Sequence, residues 1–184
     1  MSFYESVARK GLNSVYDPLI IQAAQQYGVE VALIKGIISK ESSWNPTVAS
    51  SSSYGLMQLN AAYFHNPDGS PILDPASNIE IGTSLISSQI QKRASIEVAL
   101  AGYNAGTSRS DEDLQTRISQ NVLGVGSYVQ DVLAYRQWFL ANDPASGGTS
   151  PPSDGGIVEI TDSDIKWIAG VVVLVGIFWV LMRR

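Results

Sequence analysis

The residue best placed to do chemistry is Glu41, an acidic residue near the predicted end of an apolar helix. Apolar residues recur at helical spacing through 31–38, so Glu41 falls one turn beyond Ile37 on the same face. Pro46 disfavours helical geometry at the residue before it, which places Glu41 near the helix C-terminus. Desolvation and the negative end of the helix both disfavour the ionised carboxylate, so we expect a raised pKa. A carboxyl group that keeps its proton near neutral pH can serve as a general acid.

A solvated helix end is the usual environment of a glutamate, so the catalytic interpretation needs support from the rest of the chain. That support comes from four segments in order: Glu41-Ser with a following Asn-Pro pair, Gly55-Leu-Met-Gln-Leu, Asp74-Pro with Asn78-Ile-Glu-Ile-Gly, and Gly102-Tyr-Asn-Ala-Gly. Together they make roughly residues 18–140 resemble the lysozyme-like soluble lytic transglycosylase family.

This resemblance implies a mostly α, lysozyme-like domain of the kind found in goose-type lysozymes and lytic transglycosylases. It also implies cleavage of the β-1,4 bond between N-acetylmuramic acid and N-acetylglucosamine in peptidoglycan glycan strands, with a 1,6-anhydro product and without metal or cofactor. Glu41 would be the catalytic residue, first protonating the leaving oxygen and then accepting the proton of the muramic C6 hydroxyl. The matching positions that would bind the sugar or position Glu41 are Ser42, Met57, Gln58, Tyr103 and Asn104.

Other interpretations of the same residues remain open. Without the motifs, Met57 is core filler, Gln58 a solvated residue and Asn104 a helix cap. The chain also departs from the family pattern: Asn60 stands in place of Met-Pro, Gly102 replaces an alanine, and no Glu-Thr pair precedes Tyr128-Val129. A goose-type lysozyme shares the fold and the glutamate but delivers water to the anomeric carbon. A third alternative is a non-catalytic, membrane-anchored protein that binds peptidoglycan or serves as a virion structural component.

The predicted secondary structure is almost entirely helical. Asp17 and Pro18 predict an N-cap and a helix over 18–27 that stops at Gly28. Further helices are predicted at 55–64, after a cap at Asp74, from a serine cap at Ser95 to Gly106, at 110–120 and at 125–140. A minor hairpin within 48–72 is the one β element allowed for. His65, the only histidine, is predicted to lie on the surface of a turn.

Composition excludes several other classes of protein. The 184 residues include no cysteine, so neither disulfides nor thiolate metal sites are available. The net charge of −5 and the pI near 4.7 argue against nucleic acid as a partner.

The composition of the chain changes over its last quarter. The lytic transglycosylase-like catalytic domain is predicted to occupy 1–142, followed by a flexible linker over 143–164 that is rich in Gly, Ser, Pro and acidic residues. Sixteen apolar or glycine residues from Trp167 to Met182 predict a single transmembrane helix over 165–182, with a basic end at 183–184. Acidic residues before the span and arginines after it predict that the enzyme domain faces the wall.

The N-terminal residues lack the pattern of a secretory signal peptide. Combined with the apolar span, this favours a phage virion protein that opens the wall during genome entry, sited in the virion membrane with other virion or envelope proteins as partners. A bacterial inner-membrane wall enzyme or a secretion-system accessory enzyme is the alternative.

Overall fold

A computed structural model describes residues 2–146 of the chain, and this part is mostly α, as predicted. The α-helices are α1 (Phe3–Arg9), α2 (Asp17–Tyr27), α3 (Val31–Ser42), α4 (Pro75–Lys92), α5 (Ile96–Ala105), α6 (Asp111–Ser119) and α7 (Val125–Asn142). Short 3-10 turns lie at Val122–Gly124 and Pro144–Ser146. Two short strands, β1 (Ser53–Tyr54) and β2 (Leu59–Asn60), pair antiparallel between α3 and α4.

Several predicted helix ends are confirmed. The Asp74 carboxylate accepts a hydrogen bond from the Ser77 amide at 2.9 Å at the start of α4, so Asp74 is a cap. Ser95 caps α5 in the same way. Gly28 ends α2 in the left-handed conformation, where glycine pays no steric penalty.

The predicted short helix over 55–64 is wrong, and the allowed hairpin within 48–72 is what forms. Gly55 and Gln58 adopt positive φ angles of 81° and 50°, which a right-handed helix cannot contain. The Met57 amide donates to the side chain of Asn78 at 2.8 Å instead of to a carbonyl one turn earlier. The Asn78 side chain on α4 therefore provides the hydrogen-bond acceptor that a helical carbonyl would otherwise have given to the Met57 amide. His65 is exposed just beyond this hairpin, as predicted.

Helix α3 is the centre of the core. Nine of its twelve residues are buried, and it packs most extensively against α7. Its last turn carries Glu41, and Ser43 ends it in the left-handed conformation. The expectation that Glu41 lies near a helix C-terminus is confirmed.

A buried ionic cluster forms at the second turn of α3. Lys35 is completely buried, and its Nζ lies 2.8 Å from Asp17 Oδ1, 2.6 Å from Asp143 Oδ2 and 2.9 Å from the Gly11 carbonyl oxygen. Asp17 is therefore not the predicted N-cap: it lies inside α2, makes no capping hydrogen bond and pairs with Lys35 instead. The cluster ties α2 and the two ends of the domain to α3.

Asp143 and Ser146 are both buried, although the sequence assigned them to the linker. The Ser146 hydroxyl donates to Asp143 Oδ2 at 2.7 Å. The packed domain thus continues to Ser146 because a charged partner in the core holds this polar segment. The rest of the predicted linker, the predicted span at 165–182 and residues 183–184 lie outside the described residues. Within 2–146, no helix has both the length and the apolar character needed to cross a membrane.

We predict that Lys35→Met lowers the unfolding free energy of the full chain by about 3–5 kcal/mol, because it leaves two buried carboxylates without their cation. Denaturant unfolding followed by tryptophan fluorescence measures the change. Lys40→Met is the matched control on the same helix, since the Lys40–Asp131 pair is partly exposed and should contribute less than about 1 kcal/mol. Equal losses in the two variants would show that the cluster does not stabilise the domain.

Candidate active site

A cleft of about 780 Å³ opens beside the C-terminal end of α3. It lies between the hairpin region and the end of α5, with one contribution from α4. Its lining residues are Glu41, Ser50, Ser53, Gln58, Leu59, Asn60, Tyr63, Phe64, Leu85, Tyr103, Asn104, Ala105, Gly106, Thr107 and Ser108. Among these, Glu41 is the one carboxylate, and neither lysine nor arginine is present.

Glu41 lies at this cleft with a carboxyl group that resists ionisation. Burial raises its pKa from an ordinary 4.5 to about 7, as the sequence predicted. Two smaller effects oppose the rise: a hydrogen bond from Tyr128 and the positive charge of Lys40. Near neutral pH, a large fraction of the Glu41 side chains therefore hold a proton that can be given to a ligand in the cleft.

Tyr128, on α7, orients this carboxyl group. Its hydroxyl donates to Glu41 Oε1 at 2.8 Å, and its side chain is buried. Burial and the nearby Glu41 charge raise the pKa of Tyr128 well above its ordinary value. The phenol is therefore a neutral donor over the whole working range of pH.

Tyr103 links α5 to the hairpin. Its hydroxyl donates to the Met57 carbonyl oxygen at 2.8 Å. Burial raises the pKa of Tyr103, and the negative charge of Glu41 makes a smaller contribution in the same direction. Tyr103 is thus a neutral, half-buried neighbour of Glu41 that forms part of the cleft wall. Asn104, the next residue, is exposed on the same wall.

Gln58 lines the cleft in a constrained conformation. Its side-chain amide donates to the carbonyl oxygens of Val48 and Gly55, at 3.2 and 2.9 Å, which holds the loop closed. Its positive φ of 50° is uncommon for a residue other than glycine. Residues held in such conformations cluster at functional sites, where surrounding contacts compensate for the strain.

Ser42 and Met57 lie behind the cleft wall rather than on it. The Ser42 hydroxyl donates back to the Ile38 carbonyl oxygen at 3.1 Å, and the side chain is buried. Met57 is completely buried and packs against Gly82 of α4, where any larger residue would collide with it. Of the six residues singled out in the sequence, the structure brings Glu41, Gln58, Tyr103 and Asn104 together at the cleft.

Two contributors were missed as site residues. Tyr128 was noted only beside Val129, where the chain departs from the family pattern, although a buried tyrosine hydroxyl needs a partner and signals a polar contact. Asn78 was noted only as part of a motif. Fully buried, it accepts from the Met57 amide and donates to the carbonyl oxygens of Tyr54 and Ile72, which fastens the hairpin to α4.

No group of three or more histidine, aspartate or glutamate side chains within residues 2–146 is placed to hold a metal ion. The cleft lining itself offers a carboxyl group, hydroxyls and amides.

We predict that the carboxyl group of Glu41 titrates near pH 7 and that Tyr128→Phe raises its pKa further, because the hydroxyl stabilises the ionised form. A carbon-detected NMR titration of glutamate side chains measures both values, with Glu41→Gln identifying the resonance. Tyr27→Phe is the matched control, since the Tyr27 hydroxyl donates to Glu80 outside the cleft. A Glu41 pKa near 4.5, or one that Tyr128→Phe leaves unchanged, would contradict the described geometry.

Comparison with known proteins finds one matching family model and several relatives. The family model described as the transglycosylase SLT domain matches residues 18–121, more than half of the chain. The membrane-bound lytic murein transglycosylase C of Yersinia enterocolitica is 39% identical over 84 residues, covering 39% of this chain and 24% of the relative. The transglycosylase of Enterobacteria phage PRD1 is 30% identical over 96 residues, covering 52% of this chain and 36% of the relative.

The fold has a counterpart among solved structures. A complex of the 70-kDa soluble lytic transglycosylase with bulgecin A superposes with a TM-score of 0.55 at 24% identity, covering 73% of this chain and 26% of that one. The fold is therefore the lysozyme-like one that the sequence predicted. The chain spans well under two thirds of the length of each of these proteins. From the extent of the family match, the chain belongs to the transglycosylase SLT domain family.

Proposed function

We propose that this protein is a peptidoglycan lytic transglycosylase that cleaves the β-1,4 bond between N-acetylmuramic acid and N-acetylglucosamine and releases a 1,6-anhydro product. The observation that carries the proposal is the lone carboxyl group of the cleft lining, Glu41, with a pKa of about 7 and a donor hydroxyl from Tyr128. Membership of the family supports it.

One carboxyl group can serve both halves of this reaction. Glu41 donates its proton to the glycosidic oxygen as the bond to the anomeric carbon breaks, and becomes a carboxylate. That carboxylate then accepts the proton of the muramic C6 hydroxyl as this oxygen bonds to the anomeric carbon. The proton taken from the C6 hydroxyl replaces the one given to the glycosidic oxygen, so Glu41 is protonated again for the next cycle. No water takes part in the reaction. Tyr128 holds the carboxyl group in place and stabilises its ionised form between the two steps.

A single carboxyl group also favours an internal nucleophile over water. Glycosidases that hydrolyse their substrate commonly use two carboxyl groups, one as acid and the other as base or nucleophile. Only Glu41 fills either role among the lining residues of this cleft. The remaining lining, of hydroxyls, amides and apolar side chains without cations, suits the neutral sugars of a glycan strand.

We predict that the full chain releases muropeptides from purified peptidoglycan that are lighter by one water than hydrolysis products, and that Glu41→Gln releases none. The amide keeps the shape of the side chain but has no acidic proton to give. Mass spectrometry of the soluble fraction measures both outcomes. Glu112→Gln, at an exposed position on α6 outside the cleft, is the matched control and should retain activity. Products with a reducing-end muramic acid would indicate the goose-type lysozyme reaction instead.

The fold of Glu41→Gln can be checked through its pH dependence. Because the folded state raises the pKa of Glu41 from 4.5 to about 7, ionisation of this group reduces stability progressively as pH rises through that window. Glutamine avoids this loss, so at pH 8 the variant should be at least as stable as the parent protein. An inactive but unfolded variant would leave the role of Glu41 unsupported.

The proposal extends to location: residues 165–182 anchor the enzyme in a membrane, with the domain on the side of the wall. The apolar run from Trp167 to Met182, acidic residues before it and Arg183 and Arg184 after it support this arrangement. The similarity to a phage transglycosylase supports a role in local opening of the cell wall during phage genome entry.

We predict that the full chain stays in the membrane fraction through an alkaline carbonate wash, because an apolar helix of this length is held by hydrocarbon rather than by charge. Immunoblotting of the pellet and supernatant measures retention. Val173→Lys with Ile177→Arg, expressed alongside, should move the protein to the supernatant if the span is responsible. Release of the parent protein by the wash would rule the anchor out.

A further inference from the structure

Tyr63 is a large aromatic side chain that the fold leaves open to solvent inside the cleft. Its exposed fraction is 78%, yet it lines the same cleft as Glu41. Phe64, the next residue, is half-buried and lines the same cleft, and the buried Leu59 also contributes to the lining. Ligand pockets are commonly lined by aromatic side chains beside a few polar groups, so an exposed aromatic ring inside a cleft is well placed to contact a ligand.

A specific turn presents this side chain. The side chain of Asn60, at the end of β2, accepts from the Ala62 amide at 2.9 Å. Its carbonyl oxygen accepts from the amides of Tyr63 and Phe64, at 3.1 and 2.9 Å. An asparagine side chain that binds the backbone two residues on is a standard way to close a turn. The position where the sequence departs from its family, Asn60 in place of Met-Pro, is thus the residue that builds the turn.

The ring suits one class of ligand. Tyrosine offers a broad, rigid, largely apolar face at little cost in conformational entropy, together with a polar tip. A pyranose ring has a similar division, with C–H groups on its faces and hydroxyls at its edges. The other lining residues include Ser50, Thr107 and Ser108, which can bind such hydroxyls.

We propose that Tyr63 is a stacking platform for a sugar ring of the glycan strand and that Asn60 positions it. This inference rests on the proposed function and adds a substrate-binding residue that the family motifs do not contain. Tyr63 contributes binding that is the same in the ground state and the transition state, so its loss raises KM and leaves kcat largely intact. Since the ring is exposed, its removal does not destabilise the domain.

The first test measures kcat and KM of the full chain on soluble, peptide-free glycan strands. Tyr63→Ala should raise KM roughly 3- to 30-fold, which corresponds to about 0.6–2 kcal/mol of lost stacking. Tyr63→Phe keeps the ring and should recover most of the lost affinity. Phe3→Ala is the matched control, because Phe3 is 82% exposed but does not line the cleft. A KM for Tyr63→Ala equal to that of Phe3→Ala would overturn the stacking role.

The second test concerns Asn60. Asn60→Ala should raise KM, Asn60→Asp should restore it because aspartate keeps the oxygen that closes the turn, and both should keep the parent melting temperature within a few degrees. In the Tyr63→Ala background, Asn60→Ala should add little, because the two residues act on one contact. Fully additive effects would show that Asn60 does not act through Tyr63.

These outcomes separate the inference from the proposed function. If the parent chain releases no product from peptidoglycan, the proposed function fails before any variant is compared. If the parent chain is active and depends on Glu41, while Tyr63→Ala leaves KM unchanged, the proposed function stands and the stacking role of Tyr63 is contradicted.

Discussion

Burial of helix α3 is the constraint on which the rest of the structure depends. It places two ionisable groups, Lys35 and Glu41, in positions where charge is costly. The fold meets that cost in opposite ways. Lys35 is paired with the carboxylates of Asp17 and Asp143, whereas Glu41 has no cation in the cleft lining and its pKa is raised. Lys40, its neighbour in sequence, is held 2.6 Å from Asp131, so its charge is partly neutralised. Helix α3 thus carries Lys35, which forms ion pairs in the core, in its second turn, and Glu41, whose proton is available for chemistry, in its last turn.

The second half of the cleft depends on backbone groups rather than on charge. The hairpin between α3 and α4 is too short to be stable alone, since two strands of two residues bury very little. Asn78 and Tyr103 hold it from two helices by binding its backbone at the Met57 amide and carbonyl. Rigid helices therefore support a loop-built binding surface, an arrangement that places ligand groups accurately.

Under the proposed function, the two parts of the site have different tasks. The end of α3 and Tyr128 of α7 supply the acid and orient it. The hairpin and the turn after it supply polar and apolar surface, including Gln58 and Tyr63, where a sugar can rest. Of the departures from the family pattern, Asn60 lies in the second part, Gly102 lies on α5 and the missing Glu-Thr pair directly precedes Tyr128. Glu41 and Tyr128 themselves are in place. Variation in such a surface changes which strand is held without changing the proton chemistry.

The sequence by itself determined the helical fold, most helix ends, the raised pKa of Glu41 and the grouping of Gln58, Tyr103 and Asn104. The helices, their ends and the raised pKa follow from local rules: apolar periodicity, caps such as Asp74 and Ser95, and one acid on an apolar face next to a helix end. The grouping of the three cleft residues came from the resemblance to the family and not from local rules. Only the tertiary structure decided that 55–64 contains a hairpin, because the side chain of Asn78 on α4 binds the Met57 amide.

The partners of buried polar groups were also decided by the tertiary structure. Asp17 was expected to be a helix cap and Asp143 a linker residue. Both instead bind Lys35, which is 18 and 108 residues away in sequence. Tyr128 lies in the core, but its partner Glu41 is 87 residues distant in sequence, and no local pattern encodes that contact. Short-range preferences are readable along the chain, whereas the partner of a buried polar group depends on which elements the folded core brings together.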